Sequence, residues 1–256
     1  MGKMPIGLQL YSVRHEFEKD PAGVLKAVAK MGYDGVEFAG DFQKPPAELR
    51  ALLDENGLVC CGWHIPYARV QDDKLQESIA TMKTLGCAYA IVPWIPATSR
   101  AEWLKAATFF NLLVEKLAPH GIVVGYHNHD KEFQLAEGGM PFDFFFGNTR
   151  PEVSIQLDTG NAMSGGAEAI PLLKRYPGRS KTVHLKPYSA ELAKESPEAG
   201  FRPLIGEDST PWKELLELCA TEAGTLWYII EYESDAYPAM EAVDKCLAAL
   251  KVLLSE

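Results

Sequence analysis

The segment KLAPHGIVVGYHNH, Lys116–His129, contains the unit from which this chain is built. An amphipathic helix ends, Gly121 follows one step past it, and a short apolar run then stops at polar residues. Three earlier segments read the same way: AVAKMGYDGVEF (Ala27–Phe38), ALLDENGLVCCGWH (Ala51–His64) and TMKTLGCAYAIVPW (Thr81–Trp94). Gly32, Gly57, Gly86 and Gly121 suit the left-handed position after a helix, where a Cβ is costly. A helix that repeatedly hands over to a short apolar strand is the pattern of a parallel sheet.

The pattern extends outward in both directions. PIGLQLYS (Pro5–Ser12) opens the chain, and VSIQLDTGN (Val153–Asn161), KTVHLKPY (Lys181–Tyr188) and WYIIEYE (Trp227–Glu233) follow the repeated units. About eight strands in all are what close a (β/α)8 barrel of roughly 250 residues, and the chain has 256. The expectation is a single barrel domain over residues 1–256. A doubly wound sheet would need a Gly-rich phosphate turn after its first strand, where Leu10-Tyr11-Ser12-Val13-Arg14 stands instead. Ser99-Arg100-Ala101-Glu102 reads as a capping box before a helix with the stripe Trp103, Ala107, Phe110, Val114 and Leu117. Val243, Leu247, Leu250 and Leu254 predict a last helix that seals the ring beside the first. Two stretches, Asn128–Gly139 and Pro187–Ser209, are long for barrel loops and are expected to cover the mouth.

Composition narrows the function. With 35 acidic and 25 basic residues the net charge is −10, which argues against a nonspecific grip on nucleic acid or an anionic membrane surface. No apolar run approaches the roughly 20 residues that cross a bilayer, and the start lacks a leader pattern, so a cytoplasmic location is expected. The five cysteines, Cys60, Cys61, Cys87, Cys219 and Cys246, form no Cys-x-x-Cys pair and read as small buried hydrophobes.

In a parallel barrel the C-terminal strand ends converge on one mouth. In order these ends carry Gln9 or Tyr11, Glu37, His64, Trp94, His127 with His129, Asp158, His184 with Lys186, and Glu231 with Glu233. Four of the six histidines fall there. His127, Asp158, His184 and Glu231 end the last four strands, a mixed nitrogen and oxygen set suited to one divalent ion of Mn, Zn, Co, Fe or Mg rather than to Ca. The bland alternative is two hydrogen-bonded core histidines, with the carboxylates paired to Lys186 or Arg202.

The motifs PIGLQLYSVR, GYHNHDKEF, QLDTGN, VHLKP, RPLIGED and IIEYE resemble the xylose isomerase-like TIM-barrel superfamily of sugar (phosphate) isomerases and epimerases. Its relatives include tagatose and psicose epimerases, inosose isomerases and dehydratases, and endonuclease IV. The resemblance runs through the whole chain and implies a metal held by residues that end strands five to eight, commonly Glu, Asp, His and Glu. These fall on His127, Asp158, His184 and Glu231. Three departures stand out: His127 where a Glu is common, Asn161 where His often follows Asp-Thr-Gly, and Pro187 where an Asp often follows Lys186.

The resemblance implies proton abstraction next to a metal-bound carbonyl of a sugar or keto sugar, phosphorylated or not. Glu231 is the first choice as base, because a carboxylate ligand keeps a free oxygen. His129 is the first choice for a second proton transfer, with an alternative role as ligand or hydrogen-bond partner. Glu37, His64, Trp94, Lys186 and Arg202 are the candidates for binding substrate. Trp63, Tyr11 and Phe38 are further candidates for a flat apolar wall. Rival readings are a dehydratase or lyase acting on a keto-inositol or keto sugar, a noncatalytic sugar-binding barrel, and a nuclease, which the net charge disfavours. Oligomeric state stays open, with a second copy over the long loops as one arrangement.

Overall fold

The structure, a computed structural model, describes residues 4–255. Eight strands, β1 (Ile6–Gln9), β2 (Gly35–Ala39), β3 (Val59–His64), β4 (Tyr89–Val92), β5 (Val123–His127), β6 (Ser154–Asp158), β7 (Thr182–Leu185) and β8 (Trp227–Ile230), close into a barrel in chain order. Every neighbouring pair is parallel, and β8 returns to β1 through the register Gly7↔Ile229. This is the expected (β/α)8 TIM barrel, and its closed strand order excludes the doubly wound sheet. Gly32, Gly57, Gly86 and Gly121 each follow a helix or helical turn, with φ from +65° to +95°. No helix among the described residues is long and apolar enough to cross a membrane.

Alternation along each strand divides the core into two layers. On β5, Tyr126 turns outward into an aromatic cluster with Trp103, Phe110, Phe145 and Phe146. The next residue, His127, therefore faces the barrel interior. On β6, Ile155 and Leu157 belong to the hydrophobic core, while Gln156 and Asp158 bond to polar groups within the barrel. The Ser99 capping box forms as read, with Glu102 accepting from the Ser99 backbone. The last helix, Ala239–Leu253, docks beside Pro21–Met31, where Lys251 donates to the carbonyls of Met31 and Gly32. The expected stripe is corrected at its end: Leu254 lies past that helix and is exposed.

The aromatic cluster holds the helix Arg100–Leu117 against the strand that carries His127. Phe145 is fully buried, with ring centroids 4.8 Å from Phe110 and 5.1 Å from Tyr126. Phe145→Ala is expected to destabilise the fold by about 3–5 kcal/mol, the usual cost of emptying such a site. Denaturant unfolding followed by circular dichroism checks it, and an unchanged midpoint would show that the cluster does not support the wall.

Candidate metal centre

His127, Asp158, His184 and Glu231 are all buried, and each offers a ligand atom within 4.8 Å of the others. Asp158 shows why this arrangement suits a cation. Its Oδ1 accepts the Asn161 backbone N–H at 2.7 Å and so caps the short helix Thr159–Ser164. Its Oδ2 is buried without a hydrogen-bond partner. Three nitrogens stand around that oxygen: His127 Nε2 at 3.8 Å, His184 Nδ1 at 3.9 Å and Lys186 Nζ at 4.0 Å. These separations are too long for hydrogen bonds. They approach the spacing of roughly 3–3.5 Å between donors that share one ion through bonds of about 2.0–2.2 Å. An orphaned carboxylate oxygen among two imidazoles and a second carboxylate fits a divalent metal.

His184 sits between two carboxylates, with Nδ1 2.8 Å from Glu231 Oε2 and Nε2 2.6 Å from Glu37 Oε2. Burial opposes a charge on the ring, yet Glu37 and Glu231 raise its pKa to about 10. Burial pushes the Asp158 carboxyl up to about 7, against the pull of Lys186. Burial also acts on Glu231, but Lys186 and His184 outweigh it and hold that carboxylate well below its ordinary range. Lys186 bonds to Glu233 and lies 3.9 Å from Glu231 Oε2.

Above the cluster opens a cavity of about 1020 Å³. Among the residues lining it are His64, His129, Lys186, Arg202, Glu231 and Glu233. Both long loops contribute as expected, the first through His129 and Asp130 and the second through Pro197, Glu198, Phe201 and Arg202. Arg202 is drawn aside by Glu195 at 2.9 Å. His129 presents a buried Nδ1 with no partner, and burial holds its pKa below the ordinary imidazole value.

Two substrate-binding expectations are corrected. Glu37 does not reach the mouth. It is fully buried beneath His184, in a slot that exists because residue 62 is Gly: a Cβ there would come within 2.2 Å of Glu37 Oε1. A register shift between Val36 and Glu37 on β2 brings Gly62 opposite Glu37. Trp94 does not line the cavity; it is half exposed, with Lys131 Nζ 5.4 Å over its ring. Trp63 and Phe38 are buried in the wall, so the aromatic lining comes from Tyr11 and Phe201. Glu132 is also buried, accepting from the Tyr126 hydroxyl and the His129 N–H.

Gln156, Thr182 and Asn128 were not singled out from the sequence. Gln156 lies two residues before Asp158 and Thr182 two before His184, and that period of two carries the signal that both side chains share the ligands' face. Asn128 exchanges two hydrogen bonds with the backbone of Asp158, fixing the end of β5 to that of β6.

The chain belongs to the xylose isomerase-like TIM-barrel family, whose sequence pattern matches residues 25–253. It is similar to an inosose dehydratase of Geobacillus kaustophilus, 27% identical over 64% of this chain and 60% of that protein. An inosose dehydratase of Salmonella typhimurium is 23% identical, covering 83% of this chain and 81% of its own. Among solved structures, a sugar phosphate isomerase/epimerase of Parabacteroides distasonis superposes with a TM-score of 0.79 at 23% identity, covering 97% of this chain and 96% of that one. The match thus spans less than two thirds of the Geobacillus protein's length.

Asp158→Asn is expected to weaken cobalt(II) binding by more than about 100-fold, since loss of outer partners alone typically costs 10–100-fold. Cobalt titration with circular dichroism checks it, and unchanged affinity in a folded variant would place the site elsewhere. Binding must also displace protons from Asp158, with its pKa of about 7, and from His184, at about 10. Affinity is therefore expected to rise with pH from about 6 to 9, with proton release measurable by calorimetry in buffers of different ionisation enthalpy. An affinity flat across that range would contradict the assignment.

Proposed function

We propose that this chain is a metal-dependent enzyme that removes the proton next to a carbonyl in an unphosphorylated keto sugar or keto-inositol, and thereby isomerises or epimerises it. The observation that carries this reading is the buried four-donor cluster at the floor of the cavity. When bound by His127, Asp158, His184 and Glu231, the divalent ion supplies a Lewis acid that polarises the substrate carbonyl.

Glu231 takes the proton. It lines the cavity, and Lys186 and His184 keep it ionised and ready to accept. His129, neutral and with an unpartnered nitrogen, stands at the same cavity to exchange a proton with a second position. His64 and Tyr11 offer polar contacts to hydroxyl groups. The lining favours a neutral substrate over a phosphate. Lys186 is engaged by Glu233 and Arg202 by Glu195, and Arg14 donates to the Tyr11 carbonyl while lying on its ring. Asp130, Glu198, Glu233 and Asp235 add negative charge at the rim.

A second reading is dehydration. Here Glu231 takes the same proton, a carbon–carbon double bond forms, and the β-hydroxyl leaves as water with a proton from the site. Two observations favour it: the two proton-transfer groups are unlike, a carboxylate and an imidazole, and the similar curated proteins carry the name inosose dehydratase.

Incubation of the cobalt- or manganese-loaded protein with keto sugars and inososes in D₂O tests both readings. Deuterium is expected at one carbon beside the carbonyl, and Glu231→Gln is expected to reduce that exchange by at least about 100-fold, as loss of a general base usually does. Retained water in the product supports isomerisation, whereas its loss supports dehydration. Binding of these compounds without any exchange would overturn catalysis and leave a sugar-binding barrel.

A further inference from the structure

Beneath the four-donor cluster lie Gln9, Glu37, Gln156 and Thr182, all at 0% exposure. Hydrogen positions in this layer follow from one backbone group. The Tyr11 N–H can only donate, and it donates to Gln9 Oε1 at 3.1 Å. Gln9 therefore turns its Nε2 to Glu37 Oε2, 2.8 Å away. The other oxygen of Glu37 accepts from Gln156 Nε2 at 2.8 Å, and the same amide nitrogen donates to Thr182 Oγ1 at 2.9 Å. A flipped Gln156 amide would set oxygen against carboxylate, acceptor against acceptor. Gln156 Oε1 consequently faces His64 Nε2 at 2.5 Å and His127 Nδ1 at 3.1 Å. Both ring nitrogens must carry a hydrogen to satisfy it.

We propose that Gln156, oriented by Glu37, is a positioning residue that fixes the tautomers of two barrel histidines: His127 as the Nδ1–H form, with its Nε2 lone pair towards Asp158, and His64 as the Nε2–H form. The functional part of this inference rests on the reading that His127, Asp158, His184 and Glu231 hold the divalent ion. The His127 ring keeps its hydrogen on Nδ1, against Gln156 Oε1 at 3.1 Å, while Nε2 lies 3.8 Å from Asp158 Oδ2, beyond hydrogen-bond reach. That hydrogen is committed to Gln156, and the nitrogen nearer Asp158 is free to ligate.

The same hydrogens choose between two clusters of donors. His64, His127 and His184 also bring nitrogens within 4.8 Å of one another, and three imidazoles alone would look like a metal site. Yet His184 Nε2 donates to Glu37 Oε2 at 2.6 Å, and His64 Nε2, 3.1 Å from the same oxygen, has its one hydrogen committed to Gln156 Oε1. That side of the rings is closed to a cation. On the other side His184 Nδ1 would be the nitrogen to hold a metal, with Nε2–H kept on Glu37, an arrangement in which the carboxylate orients the ring and raises its basicity.

Histidine-labelled protein without metal, studied near pH 7.5 by long-range ¹H–¹⁵N correlation, distinguishes a protonated ring nitrogen from a bare one. His127 is expected to show the Nδ1–H pattern and His64 the Nε2–H pattern, and the Nε2–H form at His127 overturns the proposal. Gln156→Leu is expected to release His127 to the Nε2–H form that free imidazoles favour, and to weaken cobalt(II) binding by about 10–100-fold. Unchanged tautomers or unchanged cobalt affinity in the folded variant also overturn it. If the unsubstituted protein takes up no cobalt, the metal reading fails, and the histidine spectra still decide the tautomers.

Discussion

A carboxylate sealed from water must find a donor for each oxygen, and the interior of this barrel is organised around that requirement at Glu37. Burial opposes its charge, while His64 and His184 favour it strongly enough that its pKa lies below the ordinary value. Gln9, Gln156 and His184 all donate to it. Each donor comes from a different strand, so one ion ties β1, β6 and β7 to β2 across the barrel axis. Losing one of these donors leaves a buried carboxylate oxygen with fewer partners than it has now, at a cost of about 1–3 kcal/mol where an oxygen is left with none. The layer above inherits its geometry from this one, because the hydrogen bond to Glu37 holds His184 in the orientation that presents Nδ1 to Glu231.

Much of the architecture was legible in the sequence because each repeated unit states its own start and stop. Gly121 and the run Ile122–Tyr126 require no distant partner to be read as helix end and strand. Closure then puts strand ends together by topology alone, which is why His127, Asp158, His184 and Glu231 could be grouped before any distance was known. Glu37 was misplaced because a strand-end position says which end of the barrel a residue occupies, not how deep its side chain lies. Its depth depends on Gly62, a residue on another strand, and on the register shift that sets the two opposite each other. Trp94 was misplaced for a related reason: Pro93, just past β4, lines the cavity, while the Trp94 ring does not and lies against Lys131.

The two layers face opposite energetic demands. The lower one is satisfied without a metal: none of the buried side-chain nitrogens and oxygens of Gln9, Glu37, Gln156 and Thr182 lacks a hydrogen-bond partner. The upper one is not. Asp158 Oδ2 lacks a partner, and Asp158 and Glu231 share a buried space with only Lys186 and His184 to offset them. An unmet buried acceptor costs about 1–3 kcal/mol, so the fold is held in this arrangement by the surrounding strands rather than by the cluster itself.

Such a mismatch has a thermodynamic consequence. A ligand that binds the folded chain alone stabilises it by RT ln(1 + [L]/Kd), about 2.7 kcal/mol at 100 times Kd. Placed where acceptors outnumber donors, a cation removes an existing penalty as well as forming new bonds, so affinity and stability draw on the same defect. The lower layer gains nothing from a cation, since its hydrogens already occupy the space that a metal would take. Selectivity for the upper position therefore needs no difference in residue type, because imidazoles and carboxylates occur in both layers. It follows from where the hydrogens lie, and those positions trace back through Gln156, Glu37 and Gln9 to a single backbone N–H at Tyr11.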